Sequence, residues 1–282
     1  MDIIKFLDEF TSESLTAKGS SRRAAFGTMG SLGKKAALAA VPFGLATSTS
    51  KAYAQDTNAA VGALQLALTL EYLESEFYLQ ALESGVLPQG RPEEVYMQIS
   101  KHESAHVNFL ITGLEGAGVE PVAKPTFDFT AGGAFDPFNK DNTAAYAQLL
   151  ALAQAFEDTG VRAYKGQAGN LYKTPYLEPA LRIHSVEARH AAEVRRLRAA
   201  FLEETLNVDA AGWITLDHRG PGMPEATQPV YNGEENVVQP EGGVNLVEAT
   251  SFDAVSVSQS FDEPITGDQA VAIASLFIVS EE

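Results

Sequence analysis

Four glutamates stand where leucines belong. Between residues 58 and 202, four stretches repeat apolar residues with a helical period, and each breaks its apolar stripe with a glutamate near mid-length. Glu71 lies seven residues after Leu64 and seven before Tyr78; Glu157 lies seven after Leu150 and seven before Tyr164. The second stretch carries Glu103 with His106 and the fourth carries Glu187 with His190. A spacing of three puts each Glu and His on one helical face. The chain therefore contains Glu-x6-Tyr followed by Glu-x-x-His, twice over.

A chain with that pattern must place several carboxylates inside a helical bundle. Buried ions cost several kcal/mol each when nothing compensates them. Two divalent cations neutralise four carboxylates, and one imidazole per metal completes a mixed nitrogen and oxygen set suited to iron or manganese. The expected ligands are Glu71, Glu103, His106, Glu157, Glu187 and His190. Tyr78 and Tyr164 can donate hydrogen bonds to those ligands, or serve as ordinary core tyrosines. His184, three residues before Glu187, is expected in the same supporting position or in the core. Glu74 and Glu76 are expected in solvent, with Glu74 the alternative ligand to Glu71; Asp158 and His218 are expected at the surface.

The connections set the topology. Gly85 and Pro88 stop the first stretch, Pro92 opens the second, and Gly113, Gly116 and Gly118 end it. The third runs from about Asn142 to Ala168; the fourth starts by Pro179 and ends near Phe201. Two short links make antiparallel hairpins. A link of about 27 residues, rich in Phe, Gly and Pro, joins them and can cross the length of a bundle. The fold class is all-α: a four-helix bundle with a long crossover between helices 2 and 3.

The segments 70–78, Glu103-Ser104-Ala105-His106 and Glu187-Ala188-Arg189-His190 resemble the metal-binding motifs of the ferritin-like superfamily, and specifically of exported bacterial ferritin-like domain proteins. The resemblance covers about 58–202. It implies a dimetal centre that reacts with O2 or peroxide, as a ferroxidase or in the manner of a manganese catalase. The chain has no cysteine, which departs from rubrerythrins and their second iron site, and its long acidic tail departs from cage-forming ferritins.

Two rival readings remain open. His102-Glu103-Ser104-Ala105-His106 spells the zinc-peptidase motif. That motif needs a third ligand downstream, and Phe109 occupies the glycine position of its extended form. The other rival is a structural or interaction protein that assembles through its C-terminal region.

The flanking regions differ in character. Arg22 and Arg23, the mild apolar run Ala36–Ala46 and the small-x-small site Ala52-Tyr53-Ala54 resemble a twin-arginine signal, giving an export segment 1–54, a bundle 55–202 and an acidic appendage 203–282. A periplasmic or secreted location follows. The alternative for 21–54 is an amphipathic helix retained in the mature chain. The appendage holds 15 acidic residues against one basic, Arg219. Trp213, Phe252, Phe261 and Phe277 are its expected core, Val244–Val247 and Ala254–Val257 its β-prone runs, and Thr266 with Gln269 caps a last helix over Ala270–Ile278.

Charge excludes further classes. With 20 Lys+Arg against 37 Asp+Glu, net −17, the chain repels phosphate backbones, so no nucleic-acid partner is expected. No apolar stretch approaches the roughly 20 residues of a membrane span. Self-assembly into a homo-oligomer stays open.

Overall fold

The structure, a computed structural model, describes residues 57–206, 212–239 and 243–279. The expected export segment lies outside the described residues. Helix α1 spans Thr57–Glu83, α2 Arg91–Gly116, α3 Ala145–Gln167 and α4 Leu177–Leu206. Helices α1 and α2 pack as one hairpin and α3 and α4 as the other, with α1 against α3 and α2 against α4.

Local chemistry sets the boundaries. Pro92 sits in the first turn of α2 beside Glu93 and Glu94, where a missing N–H costs nothing and carboxylates suit the helix dipole. At its other end the Val119 N–H donates back to the Leu114 carbonyl at 2.9 Å, while Gly118 takes φ +73°. Helix α4 begins two residues before Pro179, so that proline falls in the first turn, and it runs five residues past the expected end at Phe201.

Phenylalanines join the hairpins. Phe77 of α1 meets Phe156 of α3 edge-on at 5.1 Å, and Phe156 meets Phe277 of the C-terminal region at 4.9 Å. Phe129, from the crossover, packs 5.5 Å from Phe77.

The C-terminal region docks on the bundle, and all described residues lie in one compact unit. It contains a 3-10 turn at Glu225–Val230, strands β1 (Val238–Gln239) and β2 (Val244–Asn245), and helices α5 (Leu246–Ala249), α6 (Ala254–Ser258) and α7 (Gly267–Ala274). The strands are antiparallel, with Val238 opposite Asn245. Ala254–Val257 is helical, not extended: the Asp253 carboxylate accepts from the Ser256 N–H and caps that turn. The Thr266/Gln269 capping box forms as expected, but α7 ends at Ala274, and Ile278 bridges to Phe127 of the crossover. The expected core residues divide. Phe277 is buried, whereas Trp213 and Phe252 are 60% and 62% exposed; Ile265, Ile273, Val230 and Tyr231 fill the interior instead.

Arg162 anchors this docking. It is 1% exposed, and its guanidinium donates to the carbonyls of Val230, Asn232 and Glu263 while pairing with the Glu234 carboxylate at 2.7 Å. Asp158 is buried too, against the expectation of a solvent-facing residue. It pairs with Arg195 and accepts from the Tyr231 hydroxyl at 2.9 Å. The sequence places Asp158 on the outer face of α3, and the C-terminal region covers that face.

Candidate metal centre

Each helix supplies its glutamate at mid-length, so all four carboxylates meet at one level of the bundle. Glu71, Glu103, Glu157 and Glu187 are each fully buried, with His190 at 4% and His106 at 9% exposure. Glu71, Glu103, His106 and Glu187 form one set able to hold a cation, and Glu103, Glu157, Glu187 and His190 form a second. Within each set the ligand atoms lie inside 4.8 Å of one another. The sets share Glu103 and Glu187. Those two come from α2 and α4, whereas Glu71 of α1 and Glu157 of α3 each belong to one set.

The tyrosines cross between the halves. The Tyr78 hydroxyl donates to Glu157 and the Tyr164 hydroxyl to Glu71, both at 2.5 Å. Each Glu-x6-Tyr pair thus supports the other's glutamate, and α1 and α3 run antiparallel to allow it. His184 does not join the cluster; its Nδ1 is buried without a hydrogen-bond partner.

Both imidazoles present Nδ1 to the carboxylates. His106 Nδ1 lies 3.2, 3.1 and 3.1 Å from Glu71, Glu103 and Glu187. His190 Nδ1 lies 2.9, 3.3 and 3.6 Å from Glu103, Glu157 and Glu187. These contacts set the protonation of the metal-free cluster. Burial works against the His106 charge, but hydrogen bonds to three glutamates outweigh it and raise its pKa to about 12; His190 is raised likewise. Burial, with repulsion from Glu187, lifts Glu71 well above its ordinary range and also lifts Glu157, to about 8. For Glu103, burial is overcome by contacts with His106 and His190, and the carboxyl falls to about 2.

A cation fits the donor set better than these protons do. Glu103 Oε1, Glu157 Oε2, both Glu187 oxygens and His190 Nδ1 are buried without a partner in hydrogen-bonding geometry. They are close enough for ionic contact, yet off the line a hydrogen bond requires. A metal ion takes lone pairs from several directions at once and would satisfy all five atoms.

Two further residues at the cluster, both named in the sequence, stand in places other than those expected of them. His102 Nδ1 lies 2.8 Å from His190 Nε2, with the rings stacked at 14°, and its own Nε2 lies 2.6 Å from the Gln98 amide. That contact fixes which His190 nitrogen is free to face the cluster. It also removes the peptidase reading, because His102 turns toward His190 and belongs to neither ligand set. Glu74 is 2% exposed, not solvated. The signal was present: Glu71, Glu74 and Tyr78 fall at i, i+3 and i+7 on one face. Glu76, off that face, pairs with Lys124 nearer the surface.

An antiparallel four-helix bundle with one long crossover and a buried Glu/His cluster at its centre is the architecture of a ferritin-like helical protein. This chain belongs to that family: the model of the ferritin-like domain matches residues 59–200, half of its length. A search of curated proteins found no match.

Proposed function

We propose that this chain is an exported dimetal-carboxylate oxidoreductase that binds two transition-metal ions, iron or manganese, and reacts with O2 or peroxide. The observation that carries the reading is the sharing of Glu103 and Glu187 between two complete ligand sets. A single structural ion would need only one set. Two such ions, when bound, supply a pair of electrons for reduction of an oxygen species.

The chain's own residues prepare that site. His106 and His190 carry protons in the metal-free cluster, and each must release its Nδ1 proton before an ion can bind there. Metal affinity therefore rises with pH. Tyr78 and Tyr164 hold Glu157 and Glu71 in orientation, and His102 does the same for His190. Leu68, Leu110 and Tyr96 are among the buried residues of the bundle core that exclude bulk water around these groups. The twin-arginine-like segment supports export of an already folded protein.

The test begins with metal content. About two ions per chain are expected, and none when Glu103→Ala and Glu187→Ala are combined. Unchanged content in that double variant would reject the site. Reduced iron added to metal-free protein should then be oxidised faster than in buffer alone. Full metal binding without faster oxidation would favour the rival reading, in which the metals serve only stability.

A further inference from the structure

Where the C-terminal region meets the outer faces of α3 and α4 it leaves a recess. The cavity there is about 190 Å³, enough for several waters or a small organic molecule. Ala188, Ala191 and Ala192 of α4 stand at i, i+3 and i+4 and give it an apolar floor. Arg195, one turn further along the same face, is its buried end. Trp213 and Asp262, both exposed, flank its mouth.

The polar groups around this recess are unevenly satisfied. Arg195 is only 7% exposed, and its Nη2 sits in an ion pair with Asp158 yet has no partner in hydrogen-bonding geometry. Asp158 also accepts from Tyr231, and Arg162 is engaged by three carbonyls and Glu234. A buried guanidinium with an unmatched donor is suited to a carboxylate, which accepts from its fork of N–H groups. Asp262 offers the opposite. Among the described residues its carboxylate accepts no hydrogen bond, since Lys165 donates to its backbone carbonyl instead. Its charge acts on both Asp158 and Arg195, which places it over the same recess. Trp213 adds an aromatic wall that packing inside the protein leaves unused.

The four charged residues of the lining, Asp158 and Asp262 against Arg162 and Arg195, sum to zero. A ligand of net charge would therefore bring an uncompensated ion beside buried groups. A molecule that is neutral overall but carries both signs would not. We propose that this recess binds a free α-amino acid with an apolar side chain. Its carboxylate meets Arg195, its ammonium meets Asp262, and its side chain lies against Trp213 and the alanine floor. The metal cluster faces the other side of α3, so this site stands or falls independently of the dimetal reading.

Probes with one ring and different charges test it. L-phenylalanine carries both groups, hydrocinnamate lacks the ammonium and phenethylamine lacks the carboxylate. Trp213 is the single tryptophan of the chain, so its fluorescence at neutral pH reports occupancy directly. L-phenylalanine should bind saturably, with each truncated probe about 10–100-fold weaker, as for loss of one charge-assisted contact. Asp262→Asn should weaken L-phenylalanine about 10-fold and leave hydrocinnamate unchanged, because that probe has no ammonium to lose. Trp213→Ala, followed by calorimetry, should weaken L-phenylalanine about 5-fold or more. Both substitutions fall at the exposed rim and spare the Arg195–Asp158 pair, so folding is preserved. No saturable binding of L-phenylalanine, L-leucine or L-alanine would make the recess a hydrated crevice and overturn the proposal. Equal affinity for the three charge probes would overturn it too, as would an Asp262→Asn effect of equal size with and without the ammonium. Metal content measured on the same samples should not change with either substitution, which keeps the two readings apart.

Discussion

His106 and His190 each face three carboxylate oxygens within 3.6 Å, and in metal-free protein these imidazolium groups take the place of the cations. Stability then depends on pH in a definite direction. His106, raised from 6.5 to about 12, contributes fully below 6.5 and progressively less as pH climbs toward 12. Glu157, raised from 4.5 to about 8, contributes below 4.5 and loses that contribution as pH climbs through 8. Glu103, lowered to about 2, contributes above 4.5 and is lost only as pH falls through 2. Between about pH 6 and 9 the first two decline and the third is constant. Metal-free protein should therefore unfold at lower urea concentration at pH 9 than at pH 6, and Glu157→Gln should flatten part of that slope. An unchanged slope would place Glu157 outside the cluster's charge balance. Tyr164→Phe, which releases Glu71, should weaken metal binding about 10-fold or more by competitive titration, with the fold unchanged. The glutamates, histidines and tyrosines of this cluster were legible because polar residues inside an apolar stripe are conspicuous. Glu74 was read as solvated, or as a ligand only in place of Glu71, because it stands off the strict seven-residue spacing, yet it is buried.

Helix α3 is where period alone runs out. Every residue from 149 to 164 is buried, so the helix has no solvent face over that length. Its inner face carries Glu157 and Tyr164. Its outer face carries Gln154, Asp158, Arg162 and Gly166 at four-residue intervals, which reads as a solvated stripe until the C-terminal region covers it. Nothing local in the sequence announces that partner, since the docking groups are mostly backbone carbonyls. The last member of the stripe is the most constrained. A Cβ at Gly166 would stand 1.9 Å from the Ile265 carbonyl oxygen, and the Ile265 N–H donates to the Arg162 carbonyl at 3.2 Å. Backbone on both sides leaves little to yield. Gly166→Ala should cost about 1–3 kcal/mol in urea unfolding. It should also make the 262–279 segment cleavable by a protease that spares wild type. Resistance equal to wild type would mean that the segment is held elsewhere.

At the scale of the whole molecule, bundle and C-terminal region share one buried polar network. Arg162 and Glu234 are 1% and fully buried as side chains, and the pair joins residues far apart in the chain. Arg162→Ala would strand Glu234 in the interior, where burial already lifts its carboxyl to about 7. The expected loss is about 3–5 kcal/mol, read from urea denaturation, and a loss under 1 kcal/mol would show that water reaches Glu234. The bundle was readable from sequence because its spacing repeats. The appendage was readable as a composition and one capped helix, and its exposed Trp213 and Phe252 show how little aromatic content says about which face a short element turns inward. The bridge from Ile278 to Phe127 bears on how the molecule is made. A ribosome releases the four long helices well before the residues that cover α3, so the outer stripe of that helix and the edge of Phe156 wait uncovered until those residues follow. Any message cut short after α4 yields a chain with the whole ligand set but an open flank, which proteases can recognise. The C-terminal region thus acts as a late seal, made after the helices it covers and docking only when they are in place.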